Sequence, residues 1–193
     1  MLEELFDDIY PKETELKDGK KVVIRPIGKS DFQPLFKFCR NIPINERLYL
    51  QQDISNPQIV KSWIEDIDYW SKFRVIAEYN EKFIGYASLQ QNSYGWMRSI
   101  GKLRIIIAPK FRKLNVGKLL LDEIIYVARF TGLEKLELEL VGVDSQQIKP
   151  FQKIGFELQA TIKDHVKDFS GKVHDYLLFI YNLKVPDEEI GAL

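Results

Sequence analysis

One segment constrains the fold of this chain more than any other: Ile105-Ile106-Ile107-Ala108-Pro109-Lys110-Phe111-Arg112-Lys113-Leu114-Asn115-Val116-Gly117-Lys118-Leu119-Leu120-Leu121. An apolar run stops at a proline, a short cationic loop with Asn-x-Gly follows, and apolar residues then recur at helical spacing. This reads as a strand, a turn and a helix N-terminus. Backbone N–H groups of such a loop converge on one point at the positive end of the helix, which suits an anion. Asn115 and Gly117 are residue types that accept left-handed or crowded backbone. Arg112, Lys113 and Lys118 add formal positive charge, so the expected guest is a phosphate or pyrophosphate. A Walker loop is excluded because no Gly-Lys-Ser/Thr stands at the right spacing, and no G-x-G-x-x-G occurs.

The rest of the pattern places this unit inside a sheet. Residues 1–20 read as a polar N-terminal arm. Residues 22–27 read as a strand after an Asp18-Gly19 turn, and Ser30-Asp31-Phe32-Gln33 as a capping box opening a helix with Phe32, Leu35, Phe36 and Cys39 on one face. Asn56-Pro57 opens a second helix, with Val60, Trp63, Ile64 and Ile67 on its stripe. Residues 73–79, 83–90 and 100–107 form an antiparallel meander. The helix after Gly117 ends at Gly132, and Leu136, Leu138 and Leu140 alternate with Glu137 and Glu139 as the next strand. A strand–helix–strand crossover requires those two strands to lie parallel. A short helix over 145–154 and a hairpin of 156–167 with 173–183 complete the order, and 186–193 form a tail.

The chain has 193 residues, 45 % of them hydrophobic, which fits one domain with a real core. Lys and Arg balance Asp and Glu at 28 each, so neither a nucleic acid nor a membrane surface is indicated as partner. The single cysteine, Cys39, falls on an apolar helical face and reads as core. With two histidines far from it, no metal site is expected. The acidic first residues lack a signal h-region, and no apolar run approaches a spanning length. The expectation is a cytoplasmic protein.

The central segment resembles the coenzyme A loop of the GNAT superfamily of acyl-CoA-dependent N-acyltransferases. That family's [Gln/Arg]-x-x-Gly-x-[Gly/Ala] corresponds to Arg112-Lys113-Leu114-Asn115-Val116-Gly117, with Ile107-Ala108-Pro109 before it. Asn115 replaces the first glycine, and asparagine is among the residues most tolerant of positive φ. The stretch Asp144 to Phe156 resembles a second signature, Asn-(x)6-Tyr-x-x-x-Gly-Phe, and Gly171-Lys172-Val173-His174-Asp175-Tyr176 its frequent G-x-x-x-D ending. The order β-α-α-β-β-β-α-β-α-β-β is that of the GNAT fold, a mixed, mostly antiparallel α/β sheet with helices on both faces. The resemblance spans residues 22–183. The entry segment, residues 16–27 with Arg47-Leu48-Tyr49-Leu50, is weakly similar to bacterial protein-lysine acetyltransferase modules.

The resemblance implies acetyl-CoA as cosubstrate, with no metal. Its pyrophosphate would sit on amides of Lys113, Leu114, Asn115, Val116, Gly117 and Lys118 beside Arg112. Its pantetheine arm would pair with Ile105, Ile106 and Ile107, one N–H of which would polarise the thioester carbonyl. Asp144 and Phe151 fall in the second signature. The implied reaction is direct attack of a primary amine on the thioester, which needs a proton acceptor. The chain departs from its relatives here. Lys102 and Arg104 stand where a glutamate is frequent, and Phe151 replaces a tyrosine and cannot donate a proton. Glu139 and Glu137, on one side of the facing strand, are the candidate catalytic carboxylates. Glu78 is an alternative, and His165 and His174 read as surface residues. Glu46, Tyr49 and Asp53 suit a cationic amine, whether a protein lysine, an N-terminus or a small amine. A homodimer is compatible with the sequence. The competing readings are an acyl-CoA sensor of the same fold without turnover, and an RNA-binding module. The second is disfavoured because no aromatic stacking motif lies among the cations.

Overall fold

The computed structural model describes residues 2–142 and 145–183. The elements in chain order are α1 (Leu2–Ile9), β1 (Lys12–Glu15), β2 (Lys21–Pro26), α2 (Phe32–Arg40), α3 (Ile44–Arg47), α4 (Pro57–Glu65), β3 (Lys72–Tyr79), β4 (Lys82–Gln90), β5 (Ile100–Ile107), α5 (Val116–Phe130), β6 (Lys135–Val141), α6 (Ser145–Ile154), β7 (Glu157–Lys167) and β8 (Val173–Asn182). They build one eight-stranded sheet of order β1-β2-β3-β4-β5-β6-β8-β7. Every adjacent pair is antiparallel except β5 and β6, which run parallel, as the crossover through α5 requires.

Each face of the sheet carries its own core. On one, α5 supplies Val116, Leu120, Leu121, Ile124 and Ala128 against Ala87, Leu89, Leu103 and Leu138. Gly85 makes this approach possible, because a Cβ there would stand 2.8 Å from both Leu120 Cδ1 and Val116 Cγ1. On the other face, α2 and α4 bring Leu35, Phe38, Cys39, Val60, Trp63 and Ile64 against Ile76, Phe83 and Tyr86. Cys39 is core, and burial pushes its thiol up to about 12.

Two expectations change. Residues 2–15, expected within a polar arm over 1–20, join the fold instead. Phe6 and Tyr10 are buried against Phe73, and β1 extends the sheet beside β2. The Tyr10 hydroxyl and Lys12 Nζ both reach Glu123 of α5, at 2.6 and 2.7 Å. Nor does Ser30 cap α2. A 3-10 turn over Lys29–Asp31 precedes it, and the Asp31 carboxylate accepts the Gly28 N–H at 2.7 Å. Arg25 holds that carboxylate bidentately, at 2.7 and 2.9 Å, which fixes Asp31 in the turn. The tail, 186–193, lies outside the described residues.

Candidate active site

The parallel pair comes apart. β5 and β6 are in register from Ile100↔Lys135 to Leu103↔Leu138 and no further. Beyond that rung β4 still pairs with β5 as far as Gly85↔Ile107, and β8 pairs with β6 as far as Val141↔Tyr176. The strands therefore splay, and Ile105 and Ile107 turn main-chain groups toward a gap instead of a neighbour, while Arg104 and Ile106 bond to β4. A cleft of about 1320 Å³ opens there, lined by Ile105, Ile106 and Ile107 on one side and by Glu139, Leu140 and Val141 on the other. Unpaired strand edges in a gap suit an extended ligand that carries amides.

At one end of the gap lies the loop. A 3-10 turn over Pro109–Phe111 stops the strand, and Asn115 adopts φ +75°, the left-handed conformation expected of it, one residue before α5. Leu114 N–H is spent on Phe111 O at 3.1 Å. Among the described residues, no protein acceptor takes the N–H groups of Lys113, Asn115, Val116, Gly117 or Lys118. A Cβ on Gly117 would meet only Ile107 Cγ1, at 3.8 Å, so packing alone gives no reason for glycine there. Open amides at a helix N-terminus with a side-chain-free approach make an anion cradle. The loop cations contribute unequally. Arg112 is bound to Glu46 of α3 through both terminal nitrogens, and its Nε donates to Ile107 O at 3.2 Å. Lys118 pairs with Asp122 at 2.6 Å. Lys113 has no partner among the described residues and lines the cleft.

Both candidate carboxylates line the same cleft. Lys102 Nζ stands 3.2 Å from Glu137 and 3.1 Å from Glu139. Burial alone would raise the Glu139 carboxyl, but hydrogen bonds from Lys102 and Tyr176 and the charge on Lys102 outweigh it, leaving the group below the ordinary glutamate value. The same contacts hold Lys102 above its usual range against the opposing effect of burial. Burial, and then the hydrogen bond to Glu139, raise Tyr176. Gln51, in the segment between α3 and α4, donates its amide to Glu139 and accepts from Arg104. It thus straps the mouth of the gap.

The other sequence candidates are placed as follows. Residues 42–54 border the cleft as expected, but Glu46 is engaged by Arg112, and Asp53 accepts from Ser55. The Tyr49 ring lies edge-on to His174, 5.1 Å away. Phe151 lines the cleft and packs edge-on to Phe156. Asp144 lies outside the described residues. Glu78 is drawn to Arg25, 3.1 Å away, and away from the cleft. His174 is largely covered, with Nε2 2.7 Å from Asp168, and is not the exposed residue expected. His165 faces Tyr176. Lys17 was missed by sequence reasoning. Its N–H reaches Leu114 O at 3.4 Å, so the turn after β1 supports the loop from outside. Among the described residues, no group of three or more His, Cys, Asp or Glu is arranged to hold a metal, and no helix is long and apolar enough to cross a membrane.

This architecture is shared with known proteins. The chain matches the sequence model of the acetyltransferase (GNAT) family over residues 37–156. Among solved structures, it superposes on the GNAT domain of S. lividans PAT with a TM-score of 0.75 at 17 % identity, covering 89 % of this chain and 96 % of that one. A ribosomal-protein-alanine N-acetyltransferase from Brucella melitensis gives 0.72 at 23 %, covering 83 % and 99 %. The yncA protein of Salmonella typhimurium, a putative acetyltransferase solved with its cofactor acetyl-CoA, gives 0.71 at 18 %, covering 89 % and 99 %. At these identities the likeness is one of fold. No curated protein matches the chain in sequence.

Proposed function

The chain belongs to the GNAT acetyltransferase family, and from that premise we propose that it transfers an acetyl group from acetyl-CoA to a primary amine by direct attack. Acyl transfer from acetyl-CoA is the chemistry of the family. The observation that carries the reading for this chain is the combination of splayed β5 and β6 with the open amides of Lys113, Asn115, Val116, Gly117 and Lys118.

The residues fit the cosubstrate. The loop amides and Lys113 would hold its phosphates, and the stretch Ile105, Ile106 and Ile107, open toward the gap at Ile105, would hold its amide-bearing arm. Bound acetyl-CoA supplies an acetyl thioester, whose C–S bond is exchanged for a C–N bond to the acceptor while coenzyme A leaves as the thiol. The protein must bring the amine to its neutral form. Glu137 and Glu139 lie on the acceptor side of the gap and share one lysine, so the trio carries a net negative charge that attracts an ammonium group. Glu139, held ionised, accepts the proton directly or through water. Phe151 offers no proton to the leaving thiolate, so solvent supplies it.

The reading is tested by calorimetry with acetyl-CoA and with coenzyme A, followed by thiol release across a panel of amines. Binding together with amine-dependent release supports it. Binding without release by any amine favours a sensor of the same fold, and absence of binding removes both.

A further inference from the structure

A row of side chains on the acceptor side of the sheet has no part in the chemistry above. Arg74 of β3 is the register partner of Ser88 of β4, and Ser88 is the register partner of Arg104 of β5. With strands about 4.8 Å apart, the two arginine Cα atoms stand about 10 Å apart across the serine. All three residues line the cleft. Two guanidinium groups thus flank one hydroxyl on a single face.

Neither arginine is paired with a carboxylate among the described residues. Arg74, only 8 % exposed, donates to the Asp66 and Lys72 carbonyls at 3.1 and 3.4 Å. Arg104 has as its side-chain partner the neutral amide of Gln51. Carboxylates are close at hand on the cleft wall, yet Glu137 and Glu139 go to Lys102, and Glu46 goes to Arg112. A mostly buried guanidinium that takes only carbonyls and the Tyr86 hydroxyl, beside a second with only an amide, makes a region of positive charge with no carboxylate on it. Arginine's planar fork matches a carboxylate in geometry. The opposite charge lies one amide away, because Gln51 touches Arg104 with its oxygen and Glu139 with its nitrogen. The cleft is therefore bipolar over the length of one small side chain.

We propose that the acceptor is an amine that also bears a carboxylate, an amino acid in the first instance. Arg104, backed by Arg74 and Ser88, takes the carboxylate, and Glu137 and Glu139 face the amine. Gln51 is displaced from both when the acceptor enters. This rests on the acetyltransferase reading and narrows it, since an amine without the carboxylate leaves the two arginines uncompensated.

The test uses acceptor pairs that differ only in that group: lysine against cadaverine, and phenylalanine against phenethylamine, with a lysine-containing peptide blocked at both ends as a further arm. Thiol release is measured with saturating acetyl-CoA. The carboxylate-bearing member of a pair should win in kcat/KM by about tenfold or more, the scale of one charge-assisted hydrogen bond. R104Q should abolish the preference and R104K should keep part of it, with acetyl-CoA calorimetry on each variant to report the cofactor site. A second readout needs no turnover: N-acetyl-phenylalanine should bind the coenzyme A complex at least tenfold more tightly than N-acetyl-phenethylamine, and R104Q should equalise them. Equal rates within each pair, a preference that survives R104Q, transfer confined to the blocked peptide, or no transfer despite bound acetyl-CoA would each overturn this inference. The first three outcomes leave the acetyltransferase reading standing, whereas absence of transfer to any amine, or failure to bind acetyl-CoA, would reach that broader reading as well.

Discussion

Lys102 stands on the last stretch of β5 that still pairs with β6, and from there its Nζ holds Glu139 at 3.1 Å, just past the point where the strands part. The contact fixes the charge state of a carboxylate at the mouth of the gap.

That relationship sets a pH dependence. Glu139 is held below the ordinary glutamate value, so its contribution to stability is fully present above the unfolded-state pKa and is lost as pH falls through the lower, folded one. Wild type and E139Q should differ in melting temperature by a constant amount at neutral pH and converge in acid. As a base, Glu139 stays ionised through neutrality, so E139Q should lower kcat by about 100-fold or more while acetyl-CoA affinity changes little. A pH–rate profile of E139Q that overlays wild type would transfer the role to Glu137 or to water.

The loop makes a sharper demand. In G117R the new Cβ has room, since only Ile107 Cγ1 lies near it at 3.8 Å, so far-ultraviolet circular dichroism should be unchanged. The long side chain would then fill the cradle, and calorimetry should detect no acetyl-CoA binding. Retained affinity would mean that the phosphates lie elsewhere.

Asn115 separates conformation from chemistry. At φ +75°, N115G should be as stable as wild type, whereas N115V should lose about 1–2 kcal/mol, because a β-carbon crowds the carbonyl in the left-handed region. Thermal denaturation of the pair, with acetyl-CoA titrations beside it, measures this. Equal behaviour would show that Asn115 can leave φ > 0 without consequence.

The N-terminal segment should behave as part of the core. Y10F removes a 2.6 Å hydrogen bond to Glu123 while keeping the ring against Phe6 and Phe73. It should cost about 1.5–3 kcal/mol in urea denaturation, the range for a hydrogen bond to a charged group, and leave acetyl-CoA affinity alone.

Which of these features could be read from the sequence follows from how far apart the participating residues lie. The strand–loop–helix unit is local, so Pro109, Asn115 and Gly117 announce it within a dozen positions. The alternation of Leu136, Leu138 and Leu140 with Glu137 and Glu139 likewise puts both carboxylates on one side of β6, where they are found. The N-terminal helix left a fainter signal. Phe6 and Ile9 are three apart, but the acids around them outweigh the apolar stripe in a reading by composition. Asp31 was misread as a follower of Ser30 because its partner Arg25 lies on a neighbouring element. The strapping contacts had no local signal at all. Gln51 and Glu139 are 88 positions apart and Glu46 and Arg112 are 66 apart. The Arg74, Ser88 and Arg104 row appears only when the register of three strands is known.

The bond between Arg112 and Glu46 ties the loop to the opposite wall of the cleft. Arg112 sits at the cofactor loop, and Glu46 belongs to α3, which borders the acceptor cleft. A phosphate arriving at the loop competes with Glu46 for the guanidinium, and any share it wins is lost to α3. Occupation of one half of the cleft would then bear on the freedom of the other, and reciprocally. Such a contact would let an anion at the loop and a ligand beside α3 change each other's affinity by the same factor, with no separate domain to carry the signal.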